Sequence, residues 1–113
     1  MNAVATGTER EKDGLAVSPL NARLSPEERR AAPALFRALL AGQLLHALGE
    51  RRAGKILAAT RRALEMEPGL RIDSLDLVDA GTFLPVKKAK GPALLVGAVY
   101  AGETRLTDRV RLE

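Results

Sequence analysis

The sequence contains no cysteine, no tryptophan and a single histidine, His46. Without thiols there can be no disulfide, thiolate zinc site, iron–sulfur cluster or cysteine nucleophile. One imidazole allows no two-histidine metal or phosphate motif, and a serine triad would have to run through His46. Aromatic residues amount to 3%, namely Phe36, Phe83 and Tyr100, which argues against base-stacking platforms and aromatic cages. Long apolar runs are also missing. None approaches the roughly 18 residues of a membrane span, and Met1 to Gly7 lacks a basic region followed by an apolar one. Together these absences predict a cytoplasmic chain with no membrane partner.

What is present is one domain's worth of chain. Its 113 residues are 46% hydrophobic and 28% charged, inside the globular range and outside the low-hydrophobicity, high-charge range of disordered chains. With so few aromatics the core must be built from Leu, Ala, Val and Ile. Eighteen basic residues against 14 acidic ones give a formal net charge of +4. Such a balance can attract nucleic acid or nucleotide. The cations are nevertheless scattered, as Arg29-Arg30, Arg51-Arg52, Arg61-Arg62 and Lys87-Lys88-Ala89-Lys90. None is interleaved with aromatics, so solvated surface charge is the better reading and nucleic acid the weaker one.

Residues 1–13 are polar and aperiodic and read as a flexible N-terminal arm, with the folded domain expected over residues 14–113. Pro19 biases Ser18 away from helical backbone, so the stretch from Gly14 to Leu24 reads as an ordered loop. Ser25-Pro26-Glu27-Glu28 is a capping box with proline at the first helical position. The helix it starts would bury Ala32, Leu35, Phe36, Leu39, Leu40, Leu44 and Leu48 up to a stop at Gly49, kinked or split at Pro33. A second amphipathic helix carries Ala53, Ile56, Leu57, Thr60, Ala63 and Leu64 and ends at Pro68-Gly69. Periodicity two then takes over, in a strand through Leu70, Ile72, Leu75 and Leu77 whose phase slips near Asp73-Ser74, as at a bulge. Residues 93–100 form an apolar strand, turned at Ala101-Gly102-Glu103 into a last strand with Leu106, Val110 and Leu112 on one face. The expected fold is α+β, with two main helices packed on one face of a small, about three-stranded antiparallel sheet.

Three strings carry a resemblance: Arg10-Glu11-Lys12-Asp13-Gly14-Leu15-Ala16-Val17-Ser18, Asn21-Ala22-Arg23-Leu24-Ser25-Pro26-Glu27, and Pro68-Gly69-Leu70-Arg71-Ile72-Asp73-Ser74-Leu75-Asp76-Leu77-Val78-Asp79. Two shorter ones near the end, Pro92 to Val99 and Thr104 to Asp108, agree with them. Over about residues 8–113 the chain resembles the C-terminal domain of pantothenate synthetases (pantoate–β-alanine ligases). The resemblance implies ATP- and magnesium-dependent, AMP-forming condensation of pantoate with β-alanine in pantothenate biosynthesis. It also implies a Rossmann-like N-terminal domain carrying an H-x-G-H signature, which a single histidine cannot supply. The C-terminal domain then acts as a lid, inactive alone, whose S-S-R-N loop grips the ATP phosphates.

That loop maps to Val17, Ser18, Pro19, Leu20 and Asn21. Ser18 and Asn21 match, but Pro19 stands at the second serine and Leu20 at the arginine. Pro19 removes a hydroxyl and an N–H, and Leu20 removes a bidentate phosphate donor. Losing one preorganised donor typically costs about 10²–10³ in rate, so ATP and magnesium binding by this chain alone is in doubt. Thr107 and Arg109 also depart from the family pattern around Asp108, and Ser74 replaces a frequent tyrosine. Arg10 or Arg23 could stand in as a phosphate ligand. The resemblance leaves two partners open, a separate N-terminal domain or a second copy of the chain. The different class of function is a protein-interaction or regulatory module that kept the fold. Neither His46, which falls beside the apolar face of its helix, nor Asp73, Asp76 and Asp79, which alternation splits between two faces, is expected to bind metal.

Overall fold

The computed structural model describes residues 8–113. Ser25 caps the first helix: its hydroxyl accepts from the Glu28 N–H at 3.1 Å, and the Glu28 carboxylate accepts from the Ser25 N–H at 2.9 Å. Pro33 splits the expected long helix into α1 (Pro26–Ala31) and α2 (Ala34–Ala47), and α3 (Ala53–Glu65) follows. Three strands, β1 (Arg71–Asp79), β2 (Ala93–Ala101) and β3 (Thr104–Leu112), form one antiparallel sheet in that order, with β3 at an edge. The phase slip is a register shift between Ile72 and Ser74. Gly102, at φ 61°, opens the tight turn between β2 and β3, a conformation glycine reaches without steric cost.

Helices α2 and α3 pack on one face of this sheet. They meet tightly at Gly42, where a Cβ would overlap Thr60 Oγ1 and lie 2.6 Å from Leu95 Cδ2. Gly97, in the central strand, similarly makes room for Leu35 and Leu39 of α2. Large fully buried side chains are Leu39, Ile56, Leu64, Leu77, Leu95, Val99 and Leu112, the aliphatic core that the composition requires.

The expected buried stripe of the first long helix needs correction. Leu35 and Leu39 are buried, but Leu40, Leu44 and Leu48 are 38%, 60% and 76% exposed. The reason is geometric. Each i+4 step turns a position about 40° around a 3.6-residue helix, so a line through 36, 40, 44 and 48 winds off the sheet-facing side. The buried side follows Leu35, Leu39, Gly42 and His46 instead, with Ala38 beside them, in steps of four, three and four.

Residues 1–7 of the expected arm lie outside the described residues. From Glu9 onward the chain is tied to the domain: the Val17 N–H donates to the Glu9 carbonyl at 2.9 Å, and Arg10 forms a bridge with Ala16. The expected loop after Gly14 contains a 3-10 turn over Pro19–Arg23.

Candidate functional site

The residue before a proline is biased towards extended backbone, and Ser18 is extended, at φ −159° and ψ 145°. That geometry lets its hydroxyl cap the 3-10 turn, accepting from the Leu20 N–H at 3.1 Å. The hydroxyl's own hydrogen remains to donate outward. Pro19 occupies the first position of the turn, where no donor is needed. Asn21 Nδ2 donates to the Ala16 carbonyl at 3.0 Å, folding the loop back on itself. Its Oδ1 is buried and has no partner among the described residues. Val17 and Leu20 project apolar side chains outward, half and 38% exposed.

Val17, Ser18, Leu20 and Asn21 line a cleft of about 480 Å³, closed on other sides by Leu15, Phe36, Val96 and the β3 residues Arg105 to Arg109. The structure thus brings the loop together with the edge strand, and it does so through Arg10, a residue of the expected N-terminal arm. Arg10 Nη1 and Nη2 donate to the two carboxylate oxygens of Asp108, the second at 2.9 Å. Nη1 also donates to the Gly14 carbonyl at 3.0 Å, and the guanidinium carbon lies 3.8 Å from the centroid of the Phe36 ring. Gly14, at φ 97°, sits so close to that ring that a Cβ would overlap it. Asp13 accepts from the Leu15 N–H and pairs with Arg29 at 2.7 Å. The hydrogen bond from Arg29 pulls the Asp13 carboxyl below its ordinary value.

Asp108 lies opposite Gly97 in the register, and directly paired residues share a face. It therefore points to the helix-covered side along with Leu106, Val110 and Leu112, with 3% of its side chain exposed. A charge at an inward position of an otherwise apolar-in, polar-out strand was the available signal, because a buried carboxylate requires a partner. The strings Arg10-Glu11-Lys12-Asp13-Gly14 and Asp108 are in this sense one device, which fastens the 17–21 loop to β3.

The other expected residues fall elsewhere. Arg23 is exposed and outside the cleft lining. His46 is buried in α2, where desolvation first and the Arg51 charge second push its pKa below the ordinary value. Asp73 pairs with Arg105, and Asp79 accepts from the Gly81 and Thr82 N–H groups. Among the described residues no three His, Asp or Glu side chains converge on a metal-sized site, and no helix is long and apolar enough to cross a membrane.

Comparison with known proteins agrees with this architecture. The family model for pantoate-beta-alanine ligase matches residues 1–111. The chain is 48% identical over 103 residues to the pantothenate synthetase of Acidobacterium capsulatum, covering 91% of this chain and 34% of that protein. It is 49% identical over 111 residues to that of Myxococcus xanthus, covering 96% and 38%. The crystal structure of pantothenate synthetase from Thermus thermophilus superposes with a TM-score of 0.85 at 40% identity, over 91% of this chain and 37% of that one. The chain therefore spans little more than a third of the length of these relatives. It belongs to the pantoate-beta-alanine ligase family.

Proposed function

We propose that this chain serves as the C-terminal lid of a pantoate–β-alanine ligase, closing over nucleotide held by a separate N-terminal part and inactive by itself. The observation that carries the reading is the fastened 17–21 loop beside the cleft, in a chain that covers about a third of the length of its relatives. The residues present fit a lid better than a complete site. Ser18 keeps one outward donor hydrogen, Pro19 and Leu20 give none, and the buried His46 offers no imidazole to a substrate. Magnesium in this reading arrives with the nucleotide, since no acidic cluster of the described residues gathers to hold it. When bound, ATP would supply the activating adenylyl group, and the lid's contribution would be to orient phosphates and exclude water.

Reconstitution tests this. The N-terminal two-thirds of the Myxococcus xanthus enzyme, stripped of its own C-terminal domain, is mixed with this chain, and pantothenate formation is followed with ATP, magnesium, pantoate and β-alanine. The expected result is no product from this chain alone and a rate above that of the truncated enzyme when both are present. No gain at saturating concentrations of this chain refutes the reading.

A further inference from the structure

The cleft holds more positive charge than the loop's composition suggests. Of the arginines around it, Arg10 is consumed by Asp108, the Gly14 carbonyl and the Phe36 ring, and Arg23 lies outside the lining. Arg105 lines the cleft but its Nε donates to Asp73 at 3.0 Å. Arg109 alone of the four both lines the cleft and has a side chain with no ion-pair partner among the described residues. Its backbone is fixed from two sides. The Arg109 N–H donates to Asp108 Oδ1 at 2.7 Å, and its carbonyl accepts from Arg10 Nη2 at 3.4 Å. Arg109, exposed on the anchored edge strand, lines the same cavity as Ser18, whose hydroxyl hydrogen is free to donate, and the exposed, non-polar Leu20.

We propose that Arg109 is the phosphate-binding cation of this cleft, supplying from β3 the guanidinium that the loop lacks at Leu20. The inference rests on the lid reading, which puts phosphates in this cleft, and it names a residue that the loop's own pattern does not. A guanidinium suits the task because its planar fork binds phosphate oxygens bidentately and stays charged at all working pH values. Arg105 shares the cavity but is partly neutralised by Asp73 and serves as the control.

Isothermal titration of the 113-residue chain with inorganic tripolyphosphate, and separately with ATP, reads this out without any activity. The expected result is measurable binding of both ligands, weakened about tenfold or more by Arg109→Gln, as loss of a charge-assisted bond requires. Arg105→Gln should stay within about twofold. Adding Leu20→Arg to the Arg109→Gln chain should recover the lost affinity, because the charge returns to the same cavity from its other wall. Equal affinities in wild type and Arg109→Gln, a larger loss in Arg105→Gln, a loss with ATP but not tripolyphosphate, or no tripolyphosphate binding by wild type each overturns the proposal. Folding of each variant is verified by circular dichroism, and reconstituted pantothenate formation remains the separate test of the lid reading.

Discussion

Replacing Arg10 with methionine keeps most of the apolar contact with Phe36 but strands the Asp108 carboxylate on the helix-covered face of the sheet, with 3% of its side chain exposed. One hydrogen bond survives there, from the Arg109 N–H. Breaking a buried pair from one side costs about 3–5 kcal/mol because a desolvated charge is left behind. The surviving N–H places Arg10→Met at the lower end, about 3 kcal/mol. Asp108→Leu is milder, about 2 kcal/mol, since Arg10 is 18% exposed, keeps the Gly14 carbonyl, and can turn towards water. The double variant removes both charges and should cost no more than the milder single change, about 2 kcal/mol, so the coupling energy is about 3 kcal/mol. Urea unfolding followed by far-ultraviolet circular dichroism, with linear extrapolation, measures all four chains. Additive single changes below about 0.5 kcal/mol each would show the pair to be an ordinary surface contact and would refute the view that it fastens the loop.

Three further outcomes follow from the packing. Gly42→Val should destabilise by about 2–3 kcal/mol, since its side chain must displace Thr60 and Leu95 where α2 and α3 meet; thermal unfolding reads the drop. Leu39→Ala in the fully buried core should cost about 2–5 kcal/mol, whereas Leu44→Ala on the exposed line of the same helix should stay within about 0.5 kcal/mol; similar costs at the two sites would contradict the assigned helix face. Burial lowers the pKa of His46 from its ordinary 6.5, so the unfolded chain takes up this proton more readily than the folded one. Its contribution to stability is fully present above pH 6.5 and is lost as pH falls from there towards the folded value, and His46→Gln should flatten that part of the urea midpoint against pH curve.

Local signals in the sequence were clear where a single interaction decides the structure. Ser25 and Glu28 needed only each other to define a helix start, and the phase slip at Asp73-Ser74 is visible because a strand's period is exact enough to show one extra residue. The turn at Gly102 is marked by the residue type itself. Leu40, Leu44 and Leu48 were harder, because apolar residues at i+4 spacing satisfy a helical period without saying which side meets the sheet; that choice was made by Gly42 against Thr60 and Leu95, a contact between segments far apart in the chain. Phe83 shows the same limit in the backbone. It holds φ 60° while largely exposed, a conformation unfavourable for a bulky residue, and nothing in its immediate sequence announces it. The site was half legible. The loop from Val17 to Asn21 stands out by its strings, but Arg10 and Asp108 are 98 residues apart and only the assembled sheet and the returning N-terminal segment bring them together.

Pro19 and Leu20 show why a retained shape can carry altered chemistry. Ser18 is extended, as a residue before proline prefers, and its hydroxyl caps the turn that Pro19 begins. Proline here satisfies the fold and offers the cleft neither a hydroxyl nor an N–H. Leu20 points outward at 38% exposure, so its identity costs the fold little while deciding whether a cation stands there. Both departures are nearly silent in packing, consistent with a TM-score of 0.85 to the Thermus thermophilus enzyme, and under the lid reading both bear on what the cleft can hold. Fold similarity therefore constrains where phosphate would have to sit but not how strongly it is held. That strength depends on the charged residues that line the cavity, and among the described residues the lining arginine without an ion pair, Arg109, comes from β3.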